Sequence, residues 1–155
     1  MYGPPEKAPI GMMLWRTVNA TSRAFDTALS SAGGSRPMWF ILLALKADPV
    51  ASQRELAAHV GIQGATLTHH LTAMESDGLL TRRRDPNNRR VHLVELTDKG
   101  EAAFRRMRDA ALDFDRKLRD GIPDDEADRL RETLDRLRDN AATILSTARS
   151  THDSD

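Results

Sequence analysis

The chain has 155 residues, and its 23 Lys and Arg balance its 23 Asp and Glu, so the formal net charge at neutral pH is zero. That length suits one domain with a core of fair extent, and an aromatic content of only 5% means a core built from Leu, Ala, Val, Ile and Met. No cysteine is present, which excludes disulfides, thiolate zinc sites, Fe–S clusters and thiol switches.

The first predicted helix runs from about Gly11 to Ser31 and ends at Gly33-Gly34. Its apolar residues are Met12, Leu14, Trp15, Val18, Ala24, Phe25 and Leu29. Ser35 is a good N-cap for the next helix, Arg36 to Lys46, with Pro37 in the first turn where a missing N–H costs little. This second helix is apolar nearly all round and is expected to be buried. Its longest apolar run, Met38 to Leu45, is too short to cross a bilayer. Asp48-Pro49 ends it, because the residue before proline avoids the helical region.

A short helix from Ser52 to His59 follows, with Leu56 and Val60 inward and Gly61 as its stop. After Ile62-Gln63 another helix runs from Gly64 to Ser76, with Leu67, Leu71 and Met74 as its buried stripe. Gly78 punctuates its end. Two extended runs, Leu79–Arg84 and Arg89–Leu96, flank Asp85-Pro86-Asn87-Asn88 and predict one hairpin. Thr97-Asp98-Lys99-Gly100-Glu101 opens a long helix with Phe104, Met107, Ala111, Phe114 and Leu118 at heptad spacing. Gly121-Ile122-Pro123 breaks it. The last helix begins with Asp124, Asp125 and Glu126 and carries Leu130, Leu134, Leu137, Ala141 and Ile144 in a second heptad stripe, before a polar tail, Ser150–Asp155, expected to fray.

Zero net charge argues at first against a nucleic-acid binder, but the charge is unevenly placed. Five arginines and one aspartate fall between Leu80 and Arg90, and the acids that cancel them lie mostly in the last third of the chain. The order helix, helix, tight turn, helix, hairpin is that of a helix-turn-helix whose second helix can enter a major groove. Outside its buried stripe that helix offers Gly64, Ala65, Thr66, Thr68, His69 and Thr72, small or weakly basic groups able to approach base edges. No acid occurs from Ile62 to Met74 to repel phosphate. Arg82, Arg83, Arg84, Arg89 and Arg90 crowd one small ribbon, and a polyanion beside it would relieve their mutual repulsion. The competing structural reading is a charged hairpin that protects a sheet edge.

These residues also resemble a known family. Ser52-Gln53-Arg54-Glu55-Leu56-Ala57, Leu79-Leu80-Thr81-Arg82, Asp85-Pro86-Asn87-Asn88-Arg89-Arg90 and Leu96-Thr97-Asp98-Lys99-Gly100 are similar to the multiple-antibiotic-resistance regulator (MarR) family. The resemblance implies a mainly α fold with a small β-hairpin wing: a winged helix-turn-helix with a helical dimerisation region. Residues 1–34 would form an N-terminal dimerisation helix, 35–100 the DNA-binding domain, and 101–155 the C-terminal dimerisation helices and tail. The implied function is a homodimer on a pseudo-palindromic double-stranded DNA operator, often released by a small ligand. By position, Thr66, Thr68 and His69 would sit in the major groove and Arg90 would reach into the minor groove, with Arg89, Asn87 and Asn88 beside it. Ser52, Gln53, Arg54, Arg82 and Arg84 are the expected phosphate contacts. Asn88 stands where the family often has an aspartate that orients the wing arginine, and Gln63 where a serine N-cap is usual.

The family's ligand pocket lies between the dimer helices and the winged domain. Trp15, Arg16, Met38, Trp39 and His70 are the candidates here, with stacking surface for an aromatic ligand and Arg16 for a carboxylate. The two tryptophans serve equally well as core or interface residues. No His-Glu-x-x-His, Gly-x-Ser-x-Gly or phosphate-loop pattern occurs, and neighbouring His69 and His70 point about 100° apart on a helix. No enzyme, metal site or cofactor is therefore expected. The chain's start has no basic segment leading into an apolar run, so neither a signal peptide nor a membrane partner is expected, and a cytoplasmic protein is. An interaction or ligand-sensing module on the same fold, without operator binding, is the alternative.

Overall fold

The computed structural model describes residues 7–48, 51–87 and 92–152. It divides into two compact units, Met1–Phe114 and Asp115–Asp155. The chain order is α1 (Ile10–Ser31), α2 (Arg36–Ala47), β1 (Ala51–Ser52), α3 (Gln53–Val60), α4 (Gly64–Ser76), β2 (Leu80–Arg84), β3 (His92–Leu96), α5 (Asp98–Leu118) and α6 (Asp124–His152). The mainly helical fold with a small antiparallel wing is thus the one the sequence implies.

Local chemistry sets the helix ends. The Ser35 side chain caps α2 by accepting from the Met38 N–H. Ser52 lies just outside α3 rather than within it and forms a reciprocal box: its hydroxyl accepts from the Glu55 N–H at 3.2 Å, and the Glu55 carboxylate accepts from the Ser52 N–H at 2.7 Å. Those hydrogen bonds hold the Glu55 carboxyl below the usual carboxylate range. Gly61 closes α3 at φ +70°, a left-handed conformation that residues with a Cβ rarely adopt. Gln63 gives α4 no side-chain cap, as its departure from serine implies.

In the first unit a core forms where α2, α3, α4 and the sheet meet. Leu29, Ile41, Leu42, Leu45, Leu56, Leu67, Leu71, Leu80, Val94 and Met107 are all essentially closed to solvent. Trp39 stacks on Phe104 with ring centroids 5.7 Å apart, and Phe25 lies 5.0 Å from Phe114. Helix α2 is less fully enclosed than its apolar sequence suggests: Phe40 and Leu43, three residues apart and so on one face, are exposed.

The sheet has three strands, in the order β1-β3-β2, both pairs antiparallel. In the wing, Leu80 pairs with Leu96, Arg82 with Val94 and Arg84 with His92. Strand β1 adds Ala51 opposite Val94 and Ser52 opposite Leu93, an edge that periodicity does not announce because only two residues take part. At the root of the wing Thr97 donates from its hydroxyl to the Gly78 carbonyl (2.6 Å) and accepts from the Gly100 N–H (3.1 Å). Lys99 Nζ donates to the Asp77 carbonyl at 2.6 Å.

In the second unit α6 is helical to His152, two residues beyond the point where the polar tail was expected to begin. Polar residues on an exposed helix oppose neither its hydrogen bonds nor its propensity. Pairs such as Asp125–Arg129 and Asp135–Arg138 lie one turn apart on its surface. Arg119 spans Asp115 and Asp124 at 2.9 and 3.3 Å across the Gly121 turn. Leu130, Leu134 and Ile144, expected on a heptad stripe, are exposed. No described helix is long and apolar enough to cross a membrane.

Candidate nucleic-acid interface

Helix α4 docks through Leu67, Leu71 and Met74, so its other residues are sorted by their angle from that stripe. At about 100° per residue Ala65, His69 and Thr72 lie farthest from the core, Gly64 and Thr68 on the flank toward Glu75, and Thr66 on the flank toward His70. All six candidate base-contacting residues are exposed. The Thr68 and Thr72 hydroxyls each donate to a carbonyl one turn earlier, Gly64 and Thr68 respectively, at 2.9 Å. The Thr68 oxygen keeps acceptor capacity, the Thr72 oxygen also accepts from Arg82, and the methyl groups of both are left to suit a base edge.

The wing arginines differ in what they already hold. Arg82 donates from its backbone N–H to Glu75 Oε1 at 3.1 Å and from Nε to Glu75 Oε2 at 2.9 Å, and its Nη2 reaches both that carboxylate and Thr72 Oγ1. This lowers the Glu75 carboxyl below its ordinary range. Arg83 reaches Glu95 diagonally across the ladder at 2.7 Å, which lowers the Glu95 carboxyl and raises the guanidinium. Arg84 is exposed, with no carboxylate partner among the described residues. Arg54 is likewise exposed, on α3. Asn87 donates its N–H to Asp85 in the turn; Asn88, Arg89 and Arg90 lie outside the described residues. Gln53, Thr68, Glu75, Arg82 and His92 line a surface groove of about 450 Å³ between α4 and the wing. Neither Glu75 nor His92 stands out in the sequence. Their part comes from a contact between elements, and the only forewarning is that Glu75 is the first acid after the acid-free stretch.

The expected ligand residues separate. Trp39 belongs to the core. Trp15 and Arg16 line one cavity of about 730 Å³ with Arg23, Asp26 and Arg36. His70 lines a second of about 680 Å³ with Phe40, Val60, Ile62 and Thr66, again bounded by Asp26 and Arg36, which form an ion pair at 2.9 Å. Met38 meets His70 only in a smaller recess of about 260 Å³. Thr66 therefore belongs to a cavity wall as well as to the outer part of α4. Among the described residues no cluster of His, Asp or Glu is arranged to hold a metal ion.

Two short helices, the second exposed and acid-poor, followed by an arginine-bearing antiparallel ribbon, define a winged-helix domain. Residues 35–92 match the model of the MarR family. Over 104 residues, 67% of the chain, it is 33% identical to the uncharacterized HTH-type transcriptional regulator YdgJ of Bacillus subtilis (strain 168), of whose length the chain spans 63%. The transcriptional repressor CouR bound to a 23-mer DNA duplex is 29% identical, with a TM-score of 0.78 over 84% of this chain and 92% of that one. The PcaV transcriptional regulator of Streptomyces coelicolor, in complex with its natural ligand, is 26% identical, with a TM-score of 0.79 over 91% of this chain and 99% of that one.

Proposed function

We propose that the chain is a sequence-specific double-stranded DNA-binding transcriptional regulator, not an enzyme. It acts as a homodimer on a pseudo-palindromic operator and as a repressor released by a small ligand. The observation that carries this reading is the exposed, acid-free outer face of α4 beside a wing whose Arg84 has no carboxylate partner among the described residues. Similarity to a repressor solved on a DNA duplex supports it. A second copy supplies the cover needed by Ile10, Trp15 and Val18 of α1 and, separately, by Leu130, Leu134 and Ile144 of α6. Residues 1–34 and 101–155 are accordingly the dimerisation segments in this reading. The ligand is a small aromatic carboxylate, for which Trp15 offers a stacking face and Arg16 and Arg23 offer charge. Asp26 and Arg36 line their cavity and also the neighbouring one walled by Thr66 and His70 of α4, and release follows when an occupant that draws on Arg36 disturbs that shared wall.

The test is selection from a random duplex pool with the full chain, followed by binding of the recovered duplex over a salt series. A palindrome with half-sites about one helical turn apart is expected. Arg84→Ala should reduce the steepness of the salt dependence by about one phosphate contact per protomer. His69→Ala should flatten base preference while leaving affinity for a scrambled duplex nearly unchanged. No enriched sequence and a shallow salt dependence would instead favour a winged-helix protein-interaction or ligand-sensing module.

A further inference from the structure

We infer that Glu75 and Arg82 form a positioning clamp that fixes the angle of the wing to α4, and that Arg82 is thereby withheld from phosphate. This rests on the DNA-binding reading above and deepens it by assigning Arg82 a different role from Arg84. One carboxylate receives the backbone N–H, Nε and Nη2 of a single residue, so both the main chain of β2 and its side chain are tied to the last turn of α4. The Nη2 group also reaches Thr72 Oγ1 at 3.2 Å, one turn closer to the reading face. From the other side, Arg82 is fixed in the ladder opposite Val94, which is fully buried. Its side chain is 20% exposed, against 48% for Arg83.

A second consequence concerns charge. Glu75 follows the acid-free stretch directly and lines the groove between α4 and the wing, where a bare carboxylate would face phosphate. The guanidinium neutralises it there. Ion pairs that stay in reach of solvent add little to stability, so the effect of this one is geometric: it sets where the wing lies when α4 is in the groove.

The experiment compares Arg82→Ala, Arg82→Lys, Glu75→Gln and the Glu75→Gln/Arg82→Ala double variant with the parent chain. Each is titrated with the selected duplex and a scrambled one over a salt series, after circular dichroism and thermal melting show a folded protein. The expected result is that every variant, Arg82→Lys included, loses roughly tenfold in the ratio of selected to scrambled affinity. The salt dependence stays parental, and the double variant is no worse than the worse single one. Glu75→Gln keeps the side chain's shape and decides between the outcomes if Arg82→Ala does not fold. A shallower salt dependence in Arg82→Ala, with Arg82→Lys and Glu75→Gln binding like the parent, would make Arg82 a phosphate contact and overturn the clamp. Full recovery in the double variant would reduce Arg82 to masking a charge and overturn it as well. If the parent chain distinguishes no duplex from any other, the DNA-binding reading fails, and the clamp fails with it.

Discussion

Gly100→Ala is expected to destabilise the winged domain by about 3 kcal/mol or more, the largest effect of a Gly→Ala change among the described glycines. A Cβ at Gly100 would lie 1.9 Å from the Leu79 carbonyl oxygen and 3.0 Å from its carbon. That obstacle is main chain, and it cannot swing aside as the end of a side chain can. The same oxygen accepts from the Thr97 N–H at 3.1 Å, so moving it breaks the bond that seats the start of α5 on the wing. Gly100 is buried in the first turn of α5, and its N–H donates to Thr97 Oγ1. Relief therefore requires α5 to lift from the strand. Urea unfolding followed by circular dichroism checks this: the midpoint should fall sharply, and an unchanged midpoint would mean the approach is looser than described.

Leu71→Ala should cost about 2–5 kcal/mol and should reduce DNA binding without touching a group that meets DNA. Leu71 is the central anchor of α4, fully closed to solvent and flanked by Leu67 and Met74. Alanine leaves a hole between α4 and the core at the middle of the buried stripe, and the start of the helix has no side-chain cap to hold it there. Urea unfolding gives the stability loss, and hydrogen exchange should place the loosened amides in α4. A loss under about 1 kcal/mol would mean that α4 can collapse onto the core and refill the space.

The helices could be placed from sequence because their signals are local. Ser35 before Pro37, Gly61 after Val60 and the spacing of Leu67, Leu71 and Met74 each act within a turn or two of themselves. The function of the motif Leu96-Thr97-Asp98-Lys99-Gly100 was less visible. Its threonine reaches Gly78 and its glycine makes room for Leu79, contacts about twenty residues distant that no periodicity encodes. The three arginines of β2 read alike in the sequence. Only the fold places Glu75 against Arg82 and Glu95 against Arg83, while Arg84 has no carboxylate partner among the described residues. The tryptophans show the same limit. One is a core residue stacked on Phe104 and the other is 67% exposed, yet both sit in apolar helical surroundings in the sequence. Net neutrality, too, concealed acids already spoken for: Glu55, Glu75 and Glu95 are each bound by a neighbour.

The root of the wing has a mechanical consequence. Asp77, Gly78 and Leu79, where α4 passes into β2, are fastened to Thr97 and Lys99 by three hydrogen bonds, and a fourth, from the Gly100 N–H, closes the first turn of α5 on Thr97. At Gly100 the two segments touch with no room for a methyl group. A joint fastened at so many points has no play in it. A tilt imposed on the start of α5 is not absorbed there but passes straight to the end of α4, as a torque through a welded bracket rather than a hinge.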